Sequence, residues 1–506
     1  MTAVEDRAAA ATPAVPGRPS RRRRRPLVIG LVVALTAGAV TGGALVSQSF
    51  VREALPLRPD GIALGPDSEV VALPIGAGAT YVPGTSFLTG SDPDPAAVAE
   101  SRAWLAAGTV PGTSDLEREL AERALLDLRL VTDDSGATVA GWRTAWQYVW
   151  PRDAGFAVAA FAATGHLDEA EEVLGFLARV ADGTGTWQAR YLPDGSGLAP
   201  DCRVEQFDGA GWVPWAVWTW YVAASAEGPA PELAPFWSLV RHSADAIVAD
   251  MGEDGLPSPS SDYIEHPEAD LTLGTAAPLL VGLRSAADLA HRTGRTEQAE
   301  RWDAAAQLLD AALTRHFGGV GYARRLTGGK AEDQWREGPH GYPQAPRETG
   351  EADSAVTFLV PPFAPVAADR AEAVAATRRT LTLPSGGIKP IEQWRSDGVA
   401  WTPETALFAL AAAGLGEPDR ARGLLQWLAD HRTSSGAIPE QVAPDGEPRS
   451  VAPLAWTEAI VLLTLVQLER GLPVPPVRGP AVEAPDALVE PQDVTEEPDD
   501  ERGCRR

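Results

Sequence analysis

From Ala96 to Glu469, apolar residues recur at the three- and four-residue spacing of helix faces, and the strict alternation that marks half-buried strands is scarce. One helix is announced by a capping box, Ser114 to Glu117, and continues with Leu116, Leu120, Ala124 and Leu128 on one face. The same periodicity predicts helices over Gly155 to Ala163, Trp215 to Ala224, Leu273 to His291, Glu297 to Leu313, Glu404 to Ala413 and Leu454 to Leu468. The pattern therefore predicts an all-α domain.

A repeat gives those helices an order. GHLDEAEEVLGFLA from Gly165 matches GEPDRARGLLQWLA from Gly416, and a weaker copy, GRTEQAERW, begins at Gly294. Each follows an Ala-rich apolar helix, so the unit is an inner helix, a glycine turn and an amphipathic outer helix. The copies stand apart by about twice the ~60 residues of a helical hairpin with long loops, which divides the helical region into about six units. Six hairpins can close into an α/α six-hairpin toroid; an open α-solenoid and two helical bundles are the alternatives.

The ends of the chain break the pattern. Pro26 to Val46 carries no charge and has the length needed to cross ~30 Å of hydrocarbon. It follows the run Arg21 to Arg25, so the positive-inside rule leaves residues 1–25 in the cytoplasm and the body outside the cell. A membrane segment or uncleaved signal anchor over 26–46 is the reading; a cleaved signal peptide, cut among the small residues Ala39 to Ala44, is its rival. Residues 47–95 are expected to be an extracytoplasmic linker, 96–470 the helical domain, and 471–506 a solvated acidic tail rich in proline.

Composition narrows the function. The formal charge of −26 is unevenly spread, because residues 1–52 hold eight arginines against Glu5 and Asp6, which leaves a strongly acidic body. Such a body repels phosphate backbones, so nucleic acid is excluded as a partner and neutral substrates are favoured. Only Cys202 and Cys504 are present, so no disulfide framework supports the fold; Cys202 is expected to be an unpaired thiol in the core. The seven histidines show no HExxH pairing, and no metal or other cofactor is expected. The 16 tryptophans outnumber 7 tyrosines and 11 phenylalanines, and flat apolar rings suit both core packing and stacking on sugar rings. Trp215, Trp218 and Trp220, within one helix, read as core.

Chemistry-bearing residues gather where apolar helices begin. In WQYVWPRDAGFAVAAF, Trp146 to Phe161, Arg152 and Asp153 stand beside Trp150 at the start of a very apolar helix. Asp153 there could simply cap the helix and pair with Arg152. Together with SDYIE (Ser261 to Glu265), GAIPEQV (Gly436 to Val442) and PLAWTEA (Pro453 to Ala459), in that order, the chain resembles glycoside hydrolase family 15, the glucoamylase-like enzymes.

The resemblance implies an α/α toroid that removes glucose from non-reducing ends of α-glucosides with inversion, using one protonated and one ionised carboxyl. It assigns Glu440 as general base and Glu265 as general acid, with Asp262 as the acidic neighbour that favours the protonated form of Glu265. It places Arg152 and Asp153 on hydroxyls of the terminal sugar, with Trp150, Trp401 and Trp456 walling its pocket. Asp208 is expected to line the site, and Lys389, in GGIKPIEQW, to stand where the family carries a sugar-binding arginine. The chain departs from the family at Ile264, where tryptophan is usual, and at His266. Cleavage of trehalose or isomalto-type linkages in the same site, and a non-catalytic saccharide-binding envelope protein, are the other functions compatible with these residues.

Overall fold

The computed structural model describes residues 56–200, 203, 205–325 and 351–479. The expected membrane segment 26–46 and basic segment 1–25, Cys202, and the tail beyond residue 479 lie outside the described residues. Among the described residues no helix is long and apolar enough to cross a membrane.

The described residues contain twelve α-helices: α1 (Pro95–Ala107), α2 (Asp115–Leu130), α3 (Pro151–Ala163), α4 (Leu167–Val180), α5 (Gly209–Glu227), α6 (Trp237–Asp250), α7 (Leu273–Arg292), α8 (Thr296–His316), α9 (Ala368–Leu381), α10 (Thr402–Gly414), α11 (Pro418–Asp430) and α12 (Ala455–Arg470). Two kinds are distinguished by burial. Every residue from Pro151 to Ala162 in α3, from Leu273 to Ala290 in α7, from Thr402 to Ala413 in α10 and from Ala455 to Val466 in α12 is buried. In α4 only the stripe Ala170, Val173, Leu174, Phe176 and Leu177 is buried, and in α11 only Ala421, Leu425, Leu428 and Ala429. A helix apolar all round must be surrounded by other helices, whereas one apolar stripe covers a single face.

The inner elements follow one another in a closed ring: α3 packs on α5, α5 on α7, α7 on the 3₁₀ segment Ser354–Leu359, that segment on α10, α10 on α12, and α12 on α3. Helices α4, α6, α8, α9 and α11 back the first five, and α2 backs α12. The toroid expected from the repeat is therefore present, with two differences. Its fourth inner element is the short 3₁₀ segment rather than an α-helix, and its sixth pair is assembled from the two ends of the folded chain. The three repeat glycines all have positive φ (Gly165 +84°, Gly294 +72°, Gly416 +76°). Each opens a Schellman turn, in which the following N–H reaches back five residues, as from His166 to the Phe161 carbonyl at 2.9 Å and from Glu417 to the Ala412 carbonyl at 2.8 Å.

The expected linker is a correction: from Pro56 onward it is folded. Strands β1 (Gly61–Leu64) and β2 (Val70–Leu73) pair as an antiparallel hairpin, and Ile62 and Phe87 are buried in the core. At one end of the ring, β3 (Ala400–Trp401), β4 (Gln441–Val442) and β5 (Pro448–Arg449) form a small antiparallel sheet that joins the loops before α10 and α12. Trp215, Trp218 and Trp220 are core residues, as expected.

Glycine has two separable roles here. A Cβ at Gly416 would meet open space, so Gly416→Ala is expected to cost only the left-handed backbone strain, about 1 kcal/mol. A Cβ at Gly211 would lie 2.1 Å from the Pro278 carbonyl oxygen where α5 crosses α7, so Gly211→Ala is expected to cost about 3 kcal/mol through overpacking. Urea unfolding of the two variants checks the difference; equal losses would mean that α5 and α7 are not in this close contact.

Candidate active site

The inner helices α3, α10 and α12 and the loop before α7 converge on a cavity of about 330 Å³. Seven of the ten residues singled out from the sequence line it: Trp150, Arg152, Asp153, Glu265, Trp401, Glu440 and Trp456. They reach it because the loops that follow one another around the ring end are stitched together, as by the bridges Gln206 to Ser261 and Val149 to Tyr191.

Glu440 is held by backbone on both sides. Its N–H donates to the Val451 carbonyl (2.8 Å) and its carbonyl accepts from the Thr402 N–H (3.0 Å), while Gln441 pairs with both Trp401 and Arg449 in the sheet. Its Oε1 accepts from Trp146 Nε1 at 3.0 Å, and its Oε2 accepts from the Ser450 hydroxyl. Burial pushes this carboxyl up from its ordinary pKa, the Ser450 and Trp146 hydrogen bonds oppose that shift, and the Asp153 charge adds to it.

Glu265 occupies a left-handed backbone position, φ +62°, which turns its side chain into the cavity. Its Oε1 accepts from Trp150 Nε1 at 2.5 Å and its Oε2 is ion-paired with Arg203. Its loop is fastened from behind by Asp262, which accepts from the Ile264 N–H (2.9 Å) and the Thr272 hydroxyl (2.8 Å) and pairs with Arg324 at 3.0 Å. Arg324 is fully buried and also pairs with Glu268 (2.9 Å) and Asp353 (2.5 Å). Burial pushes the Asp262 carboxyl up, but the Arg324 charge and these hydrogen bonds outweigh it and hold Asp262 below its usual range.

Asp153 is the third residue of α3, which has Trp150 as N-cap and Pro151 at its first helical position. Its pKa is raised to about 6 by burial, against the pull of Arg152 at 3.6 Å and with the Asp208 charge adding to the rise. Arg152 lies over the Trp456 ring, 4.9 Å from its centre. Four buried polar atoms of residues on the cavity wall, Arg152 Nε, Asp153 Oδ2, Glu404 Oε2 and Trp456 Nε1, have no hydrogen-bond partner among the described residues.

Three expectations need correction. Asp208 does not line the cavity; it sits behind Arg152, accepting from its Nη1 at 3.3 Å, because it ends the turn before α5. Asp262 is turned inward, and its charge is balanced by Arg324, so it is an anchor of the Glu265 loop and not a wall of the pocket. Lys389 also lies off the wall, its ammonium donating to the Glu392 carbonyl; the cation that its loop presents to the cavity is Arg395. Ile264 lines the cavity, while His266 stacks near Trp394, with ring centres 6.1 Å apart.

Sequence reasoning missed Trp146, Arg203, Trp394, Arg395 and Glu404. A signal existed for Glu404: it follows Trp401 by three residues at the start of an inner helix, as Asp153 follows Trp150. Among the described residues no group of three His, Cys, Asp or Glu side chains is arranged to hold a metal ion.

No protein-family model and no curated protein matches the sequence. Solved structures do match the fold. A glycosidase variant solved in complex with glucose is 20% identical with a TM-score of 0.57, over 71% of this chain and 99% of its own. A bacterial glucoamylase complexed with acarbose is 19% identical with a TM-score of 0.57, over 74% and 58%. A glycoside hydrolase family 15 glucoamylase from Hypocrea jecorina is 15% identical with a TM-score of 0.52, over 74% and 76%. At these identities the likeness establishes a shared fold.

Removing the guanidinium behind the Glu265 loop would leave the buried Asp262 and Asp353 without their counter-charge and Glu268 with Arg325 alone. Arg324→Met is therefore expected to lose about 3–5 kcal/mol of stability at neutral pH. The deficit should shrink as pH falls and those carboxyls take up protons, which urea titrations at pH 7 and pH 4.5 would reveal; a deficit independent of pH would mean the loss is one of packing.

Proposed function

We propose that this chain is an inverting, exo-acting α-glucoside hydrolase of the glucoamylase-like family 15, releasing glucose from the non-reducing ends of short α-glucosides or α-glucans. The observation that carries the reading is the pair Glu265 and Glu440 on one aromatic-walled cavity, each with one carboxylate oxygen accepting an indole N–H from the segment Trp146 to Trp150. The cavity volume, about 330 Å³, lies at the low end of the range for small-molecule sites and suits one terminal sugar ring. Its fold neighbours include a glycosidase solved with glucose and a glucoamylase solved with acarbose.

In this reading Glu440 takes a proton from water while Glu265 protonates the leaving oxygen, so the two carboxyls carry both proton transfers. Glu440 must be ionised in the resting site, and the donors Trp146 and Ser450 favour that state against its burial. Arg152 and Asp153 take hydroxyls of the terminal sugar, and Trp150, Trp401 and Trp456 give its C–H faces an apolar wall. Glu265 has to be protonated to act, and Arg203 favours its carboxylate, so productive binding must separate that ion pair.

The same ion pair favours a second reading, in which the cavity binds a saccharide without cleaving it. Incubating the soluble body with starch and a panel of glucosyl disaccharides that includes trehalose and isomaltose separates the two. Glucose release is expected from at least one α-glucoside, with β-glucose as the anomer seen by NMR in the first minutes. Initial α-glucose would refute inversion, and binding without release would favour the second reading. Glu440→Gln and Glu265→Gln are each expected to fold and to lose at least about a hundredfold in kcat, the scale of general acid–base catalysis.

The reading places the body outside the cell, anchored by residues 26–46, on the strength of the arginine run before Pro26. Protease added to intact cells is expected to degrade the body; a body that survives would refute this placement.

A further inference from the structure

We infer that Glu404 is a further substrate-binding residue of this cavity, a buried carboxylic acid that donates a hydrogen bond to a hydroxyl of the bound sugar. The inference rests on the glycoside reading above and adds to it a contact from the start of α10 to a hydroxyl of the ring.

The geometry supports it in three ways. Glu404 is 2% exposed yet lines the cavity, and its Oε2 has no hydrogen-bond partner among the described residues. A buried polar atom that the fold leaves unpaired on a ligand cavity is placed for a partner from the ligand. It stands third in α10 after the N-cap Trp401, the position that Asp153 holds in α3 after Trp150, so the ring presents two acids in equivalent settings. Among the described residues no arginine forms an ion pair with it as Arg324 does with Asp262, although cations and anions surround it. The groups that face it are Glu440 from the loop beside β4, Arg152 from α3, Asp353 from the start of the 3₁₀ segment and Tyr263 from the Glu265 loop.

Those surroundings keep it neutral. Burial raises the Glu404 pKa to about 8; its own backbone N–H opposes the rise and the Glu440 charge adds to it. At pH 6 it therefore carries the proton it would donate, and above pH 8 it would present a second negative charge beside Glu440.

The test is binding of D-glucose and maltose by tryptophan fluorescence between pH 5 and pH 9.5, in the wild type, Glu404→Gln and Glu404→Leu, with thermal melts to confirm folding. Wild-type affinity is expected to hold to about pH 7 and fall above pH 8. Leu is expected to weaken binding about tenfold or more at pH 6, the scale of a lost buried hydrogen bond. Gln, an isosteric donor, should restore most of that loss and abolish the alkaline decline. An alkaline decline that persists in Glu404→Gln, affinity in Glu404→Leu equal to the wild type, tighter binding above pH 8, or no binding of either sugar would overturn the inference. Binding that follows the expected pattern without glucose release would overturn the hydrolase reading alone.

Discussion

The candidate site depends first on a charge that has no access to water. Arg324 is fully buried and is balanced by Asp262, Glu268 and Asp353, contributed by the Glu265 loop and by the start of the 3₁₀ segment. Taking a guanidinium out of water is costly unless its partners are close and well oriented, so the loops that supply those partners have little freedom to move. Arg325 extends the network through Glu268 (2.8 Å) and Glu351 (2.7 Å), and the Tyr263 hydroxyl donates to Asp353 at 2.5 Å. The left-handed turn at Glu265 is held in place by this arrangement.

A second buried cluster does similar work beneath the Glu440 loop. Glu458, at the start of α12, accepts from the Ile438 N–H at 3.2 Å, and burial with the nearby Asp127 charge raises its pKa well above the ordinary value. Arg123 balances Asp127 at 2.8 Å. Each candidate catalytic carboxyl thus sits on a loop whose root is tied to buried polar groups, while the carboxyl itself stays at the cavity wall. Rigid roots and open tips are what a positioned acid–base pair requires.

The ring explains why such loops meet. Inner helices that are buried all round leave no lateral surface for a ligand, so polar side chains collect where those helices begin. Asp153, Glu404 and Trp456 all lie within the first three residues of an inner helix. The cavity walls are then rich in carboxyls whose pKa values burial has lifted, to about 6 for Asp153 and about 8 for Glu404, so near neutral pH Asp153 is mostly ionised while Glu404 keeps its proton.

Much of this was legible in the sequence. Helix faces, the capping box at Ser114, the glycine turns and the Trp150 to Asp153 cluster are local patterns, set by residues within a few positions of one another, and all recur in the structure. Glu265 and Glu440 were picked out through the family resemblance of four short motifs taken in order, and the fold brings both to one cavity. Other features were decided by the tertiary structure alone. Asp262 reads as a neighbour that would acidify Glu265, but only the folded chain brings Arg324, 62 positions away, to cancel its charge. Lys389 reads as a ligand contact, yet the course of its loop presents Arg395 instead. Residues 56–94 read as a linker because their short, weakly patterned strands find partners only in the assembled ring. Glu404 was passed over because a sequence does not reveal which acids burial will leave without a counter-charge, and that depends on every element packed around them.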